Sequence, residues 1–387
     1  MKEKEKLLEL IDARQEFAID FLRQMVNFDS STIDHGLGGR EQAIQEWLEP
    51  QLKEMGFQTR LFEPDNEKFK DYPTHSRGHD YTNRPNLVGT LPGMGGGRSL
   101  ILNGHVDTMP AGDIEKWTYD PWSGQIAEGK MYGLGVCDMK AGVAAMIMAV
   151  KFLQEARLEL KGDVMIQSVV DEEGGGNGTL ACVVEGYRAD AAIITESTWM
   201  HIQPASRGVL LLETNLEGLA THACLKWGGV NAIEKAVKII QGLSELERLW
   251  LAQRHNPLLP SPTITIGQIE GGLAGSVVPS ECTLRFDVKY WIHTICAGDT
   301  WLREHPPKLR WYQHCLPHYL DPQHPLVGIM RSVAEETMGW SRVSGFPAGC
   351  DARYLQNIAN IPTIVFGPGD LQHAHSIDEH VSLDEYV

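Results

Sequence analysis

The stretch Val169-Val170-Asp171-Glu172-Glu173-Gly174-Gly175-Gly176 places three adjacent carboxylates at the end of an apolar run, Val164 to Val170, and follows them with three glycines. Acids clustered at a strand end repel one another and lose hydration. A fold keeps them when cations lie among them or when one of them must hold a proton; an acidic surface turn is the plain structural alternative. Four further polar groups stand at strand ends or helix mouths. In Gly104-His105-Val106-Asp107 an extended backbone turns His105 and Asp107 to the same face, and a metal-binding histidine commonly has its second ring nitrogen held by a carboxylate. Gly133 to Lys140 is a glycine-rich turn that sets Asp138 at the mouth of a helix, where a simple N-cap would also explain it. Thr195-Glu196-Ser197 leaves a carboxylate at the end of a buried strand. Phe366-Gly367-Pro368-Gly369 leads into His373-Ala374-His375-Ser376-Ile377-Asp378-Glu379, where His373 and His375 share a face and both are candidate ligands. Each group alone has an ordinary explanation. Their joint occurrence at the strand ends of one sheet points to a metal cradle.

The elements that must position these groups follow from periodicity. Helices are expected over Glu5 to Phe28, Arg40 to Met55 (stopped by Gly56) and Lys140 to Gln154, the last with a small-residue face. Phe57 to Phe62, Asn86 to Leu91, Arg98 to His105, Val164 to Val170 and Ala191 to Thr195 read as strands. Apolar strands alternating with helices indicate an α/β domain whose ligands gather at the carboxyl ends of the strands. Near Arg207 the texture changes. Val209 to Leu216, Thr263 to Ile269 and Cys282 to Tyr290 alternate apolar and polar residues, as antiparallel strands do, and Val230 to Leu246 is an amphipathic helix. After about His318 the first texture returns, with helices Pro325 to Met338 and Asp351 to Gln356 and a strand Ile361 to Phe366. The expected division is residues 1–207 with 319–387 as one discontinuous domain and 208–318 as an insertion. Gly93-Met94-Gly95-Gly96-Gly97-Arg98 lacks the Gly-Lys-Ser/Thr of a P-loop and is expected to be a hairpin turn. No G-x-S-x-G elbow occurs, which removes the commonest serine hydrolase arrangement.

Composition narrows the class. With 387 residues, 42% hydrophobic and 22% charged, the chain has ample core for two domains. Its net charge of −17 argues against nucleic acid and anionic membranes as partners and suits a site holding divalent cations. The longest apolar stretch, Ala141 to Val150, is too short to span a bilayer, and the first residues do not read as a secretory signal. Seven scattered cysteines without a C-x-x-C pair favour free thiols in a reducing compartment, so the expected location is the cytoplasm.

On these motifs the chain resembles the M20 metallopeptidase and deacylase family, the group of acetylornithine deacetylase, succinyl-diaminopimelate desuccinylase, aminoacylase and carboxypeptidase G. The resemblance spans nearly the whole chain and rests on Gly104-His105-Val106-Asp107-Thr108-Met109-Pro110, Gly133 to Gly142 with Asp138-Met139-Lys140, Asp171-Glu172-Glu173, Thr195-Glu196, and His375 with Asp378-Glu379. It implies a mainly parallel catalytic sheet flanked by helices, with an inserted α+β, ferredoxin-like lid that also forms a homodimer. It further implies two zinc ions, with Co2+ or Mn2+ able to substitute. His105 would bind one, His375 the other, Asp138 would bridge them, and Glu173 and Glu196 would complete the site. Asp107 would orient His105. Adjacent residues in an extended backbone face opposite ways, so Glu173 can bind metal while Glu172 serves as general base toward water activated by ions about 3.5–4 Å apart. His222, in Thr221-His222-Ala223, would reach a neighbouring active site and stabilise the oxyanion. Arg207 at the lid hinge, Ser276, Lys289, Gly367 and Gly369 are the expected substrate contacts.

The chain departs from the family pattern in places that bear on substrate choice. Ser276 stands where asparagine is usual, and Lys289 where arginine is usual, which loses a two-pronged grip on a carboxylate. At Lys289-Tyr290-Trp291-Ile292-His293-Thr294-Ile295-Cys296 the strand is expected to run straight into the end of a lid helix, a lid shortened near 290–296. The chain stops at Tyr386-Val387, where the family continues into a closing helix. A truncated terminus and a weakened dimer are therefore expected. Asp299 to Pro307 resembles the acetylornithine deacetylase and desuccinylase branch. The expected reaction is hydrolysis of the amide of a small N-acyl amino acid. Dipeptidase or carboxypeptidase action, deformylation of an N-formyl aminopyrimidine, or a non-catalytic metal-binding relative are the alternatives.

Overall fold

The computed structural model describes residues 2–72, 74–253, 256–290 and 308–387. The expected lid junction beyond Tyr290 and the Asp299 to Pro307 segment lie outside the described residues. The chain forms two compact units: residues 1–205, 318–346 and 350–387 make the first, and 206–317 with 347–349 the second.

A six-stranded mixed sheet is the centre of the first unit. Its order is Thr363–Val365, Ala191–Ile194, Leu100–His105, Val164–Val169, Asn86–Leu91 and Gln58–Phe62. The first four strands are mutually parallel, and Asn86–Leu91 runs antiparallel to both of its neighbours. Helices Lys2–Val26, Gln42–Glu54 and Ala141–Glu155 pack against it. Their apolar faces meet in one core that includes Leu22, Met25, Ile44, Leu48, Leu52, Val143, Ile147, Val150 and Ile166. This is the α/β sheet expected from the alternation of apolar strands and helices.

Gly93–Arg98 is not the hairpin turn expected from its glycines. The strands it joins are separated in the sheet by Val164–Val169, which pairs with both. The segment therefore crosses over the end of that strand. Its Gly93 N–H donates to Asp163 Oδ1 (2.8 Å) and its Met94 N–H to the Leu160 carbonyl (2.8 Å).

The parallel strands set the register of the chemistry. His105 lies opposite Val169, and Asn103 opposite Ile194. Glu172, Glu173 and Glu196 therefore follow directly from neighbouring strand ends on one edge of the sheet. Helix Ala141–Glu155 starts beneath that edge, where a Cβ on Gly142 would strike the Thr195 carbonyl. Only glycine admits so close a backbone approach.

In the second unit four antiparallel strands run in the order Thr263–Gly271, Glu281–Tyr290, Gly208–Glu217 and Lys308–Cys315. Alternate residues Cys282, Leu284, Phe286 and Val288 are buried, and with Leu212 and Leu216 they pack on Ala232, Ala236 and Ile239 of helix Ala232–Gln253. This is the period-2 burial expected of a sheet covered on one face.

Candidate metal centre

Two groups of potential metal ligands converge at the carboxyl edge of the parallel strands, and they share one residue. His105, Asp138 and Glu196 form the first; Asp138, Glu173 and His375 form the second. Within each, the donor atoms lie within 4.8 Å of one another. Asp138 spans them through different oxygens. Its Oδ1 is 3.1 Å from His105 Nε2, and its Oδ2 is 3.4 Å from His375 Nε2. Glu196 Oε1 is 3.6 Å from His105 Nε2, and Glu173 Oε1 is 2.8 Å from His375 Nε2. All five residues expected as ligands are thus brought together.

Asp138 is not an N-cap. It precedes helix Ala141–Glu155 in a turn entered through Gly135 (φ +71°), and the Asp138–Met139 peptide is cis. The turn is fixed from behind by Glu379, whose buried carboxylate accepts the N–H groups of Gly135 (3.0 Å), Cys137 (2.9 Å) and Asp138 (3.0 Å). Burial pushes the Glu379 carboxyl up to about 8 despite these bonds. Of the two candidate histidines, only His375 joins a ligand group. The His373 ring lies against that of His380, with centroids 4.0 Å apart and the planes tilted by 33°, and its Nε2 is 3.9 Å from Asp370 Oδ2.

His105 directs Nδ1 to the backbone carbonyl of Asp107 at 2.9 Å, while the Asp107 carboxylate lies 3.5 Å away. That carboxylate accepts instead the N–H groups of Glu172 (3.2 Å) and Glu173 (3.0 Å). Asp107 thereby ties the histidine strand to the acidic turn, a second duty not read from the H-x-D spacing.

The electrostatics are those of too many acids for too few bases. Burial opposes the charge of His105, but its bond to Asp138 and the charges of Glu196 and Asp107 outweigh burial and hold it well above the usual range. His375 is driven to about 11 in the same way by Asp138 and Glu173. Asp138, against the cost of its own burial, is pulled well below the carboxylate range by the two histidines. Burial, then Asp351 and Glu173, push Glu172 well above the usual range; burial and Asp138 do the same to Glu196. Asp107 is raised by burial to about 8. Carboxylates outnumber the two imidazoles here, and the buried cations around them are spent elsewhere: Lys140 donates to the Phe28 carbonyl at 2.8 Å, Arg84 Nη2 to Glu41 at 2.7 Å, and Arg353 Nη1 to the Cys350 carbonyl at 2.8 Å. Burial also pulls Lys140 down to about 8. Divalent ions fit this donor set: mixed imidazole and carboxylate ligands suit Zn2+, Co2+ and Mn2+.

The expected substrate contacts fall in separate places. In the first unit, Gly367 and Gly369 pin the loop that follows Glu196. The Thr198 N–H donates to the Gly367 carbonyl (3.2 Å) and the Trp199 N–H to that of Gly369 (2.8 Å). In the second unit, His222 and Ser276 are neighbours, since the Ala223 N–H donates to the Ser276 carbonyl at 2.9 Å. His222 Nδ1 lies 3.2 Å from the Cys224 N–H and 3.0 Å from the Cys224 sulfur. Arg207 donates to the Ser261 carbonyl (3.1 Å) and to Thr263 Oγ1 (2.7 Å), and Lys289 pairs with Asp287 at 2.8 Å. Sequence reasoning missed the supporting roles of Glu379 and Asp171, although both sit inside motifs that it singled out.

Two His–carboxylate groups joined by one aspartate, at the carboxyl edge of a parallel sheet, make a candidate metal centre. The model of peptidase family M20/M25/M40 matches residues 101–387. The chain is 33% identical over 385 residues to the N-formyl-4-amino-5-aminomethyl-2-methylpyrimidine deformylase of Bacillus subtilis (strain 168), covering 89% of this chain and 86% of that protein. It is 31% identical over 313 residues to the acetylornithine deacetylase of Proteus mirabilis (strain HI4320), covering 77% of this chain and 78% of that one. Its fold matches that of the Saccharomyces cerevisiae di-peptidase Dug1p with a TM-score of 0.74 at 15% identity, covering 100% of this chain and 96% of the other. The chain belongs to peptidase family M20/M25/M40, and it is a hydrolase acting on C–N bonds.

Proposed function

We propose that the protein is a two-metal amidohydrolase that removes a small acyl group from an amine. The observation that carries this reading is the pair of ligand groups sharing Asp138, with Glu172 outside both but close enough to feel the charges of His105, Glu173 and Glu196. His105 and Glu196 would hold one ion, Glu173 and His375 the other, and Asp138 both. Bound there, divalent ions polarise an amide carbonyl and acidify water. Glu172 accepts the proton of the attacking water and hands it to the leaving nitrogen, the task of a carboxyl group whose environment favours its protonated form. Asp107 holds the Glu172 and Glu173 amides so that the two side chains keep separate duties. The oxyanion donor role of His222, a homodimer and zinc as the resident ion belong to the same proposal.

The matched deformylase and deacetylase both act on small N-acylated compounds by name, and the deformylase has the higher identity over the larger share of the chain. N-formyl aminopyrimidines therefore come first and N-acetylornithine second in the panel that tests the reading, with N-succinyl amino acids and dipeptides after them. Zinc-loaded protein should hydrolyse one N-acyl class at least about a hundredfold faster than the dipeptides, a margin of the size one built pocket contact supplies. Tight metal binding with no hydrolysis of any panel member would instead identify a non-catalytic relative.

A further inference from the structure

Behind the acidic turn lies a chain of buried charges that the proposed reaction does not use. Glu41, Arg84 and Asp171 are each at most 1% exposed. The Arg84 guanidinium grips Glu41 with a fork: Nη2 donates to Oε1 at 2.7 Å, and Nε lies 2.9 Å from Oε2. Its Nη1 donates to the Gly36 carbonyl at 3.0 Å, and its Nη2 is 3.6 Å from Asp171 Oδ1. Asp171 is held further by His79 Nδ1 (2.8 Å) and by the Tyr81 hydroxyl (2.7 Å), which in turn accepts from Asn177 Nδ2 (2.7 Å).

This arrangement sits where it can set the active turn. Asp171 has φ +68°, in the left-handed region that an L-residue enters at a cost. Its carbonyl accepts the Gly175 N–H at 3.0 Å and that of Gly176, closing the loop that carries Glu172 and Glu173. At Gly36 and Gly174 the two backbones touch, since a Cβ on either would collide with the Cα of the other. The front of the turn is tied to Asp107 through the Glu172 and Glu173 amides. Its rear is tied through Asp171 and the groups around it, and the Gly175 carbonyl further accepts from Arg353 Nη2 (2.7 Å) and the Tyr354 hydroxyl (2.8 Å). Buried ion pairs are poor stabilisers compared with well-packed apolar residues, so stability alone does not account for three charges here.

We infer that Arg84 is a positioning residue: with Glu41, His79 and Tyr81 it braces Asp171 and so fixes where Glu172 and Glu173 point. The inference rests on the two-metal reading of the site. It is tested on the full chain loaded with Co2+, comparing Tyr81→Phe, Arg84→Lys and Arg84→Gln with Tyr386→Phe. The Tyr386 hydroxyl donates to the Ala18 carbonyl at 2.8 Å within the helical core, so its loss controls for general destabilisation. Arg84→Gln should lower kcat about a hundredfold and Tyr81→Phe about tenfold, with KM within about twofold, as loss of a ligand's supporting shell does. Arg84→Lys should restore part of the loss, and the visible Co2+ spectrum should change in Arg84→Gln but not in Tyr386→Phe. The inference is overturned if the brace variants lose melting temperature while kcat per folded molecule and the Co2+ spectrum stay as in the parent. If the parent itself hydrolyses nothing, the functional reading fails separately, and an unchanged Co2+ spectrum in Arg84→Gln still overturns the brace.

Discussion

The two ligand groups of the centre are built differently. His105 is 1% exposed, and it and Glu196 stand at the ends of adjacent parallel strands. The other group rests on loops. Glu173 lies in the glycine-rich turn, and His375, with a side chain 48% exposed, follows a short 3-10 turn and has φ +54°. Asp138 belongs to both and is itself clamped by Glu379. The sheet thus fixes one half of the centre, and loops whose backbone N–H groups are held by Glu379 and Asp107 fix the other. On this account the strand-end half binds its ion tightly and the loop half exchanges with solvent and meets substrate.

The largest effect should come from removing the residue that joins the halves. Asp138→Ala should bind neither ion at micromolar concentration and lose activity by at least about a thousandfold, while circular dichroism remains that of the folded chain. Retention of one tightly bound ion would show that the halves are independent. Next, His105→Ala and His375→Ala should differ. A chelator titration of the parent should strip one ion well before the other, and His375→Ala should keep only the slowly lost one. Simultaneous loss of both ions would remove the distinction between the halves. A smaller effect is expected from Asp107→Asn, which leaves every ligand in place but weakens the tie to the Glu172 and Glu173 amides. Metal affinity or kcat should fall about 10- to 100-fold.

The smallest effect is a pH dependence. Without metal, the carboxylates raise His105 and His375 above the ordinary histidine value of 6.5, His375 to about 11. The protonated pairs stabilise the metal-free chain fully below 6.5, and that contribution fades as pH rises through the folded values. An incoming ion must displace those protons. The rise in Tm on adding Zn2+ should therefore be smaller near about pH 6 than near about pH 8. An equal rise at both would mean that the histidines are not ligands.

Much of this was legible in the sequence because both the sheet and the site obey short-range rules. The strand Asn86–Leu91 and the helix Pro325–Met338 have the bounds that their patterns predict, since apolar periodicity and glycine or proline stops act locally. The gathering of His105, Glu173 and Glu196 follows from parallel strands ending on one edge. What was not legible depends on strand order and on long-range packing. The Gly93–Arg98 segment looks like a hairpin until Val164–Val169 is known to lie between the strands it joins. Nothing local to Glu41 or Asp171 reveals that Arg84 pairs with both, since the pairing spans distant segments. Likewise the carboxylate of Asp107 is spent on the Glu172 and Glu173 amides because the sheet brings them together, which spacing alone does not show.

The central claim is that Glu172 moves protons at a centre whose ions it does not hold. Glu172→Gln, loaded with Zn2+ and tested on the best substrate of the panel, decides it. Metal content should equal that of the parent and kcat should be lower by about a hundred- to ten-thousandfold, the range set by loss of a general acid–base. Activity within about tenfold of the parent at full metal content, or loss of an ion together with activity, would contradict it.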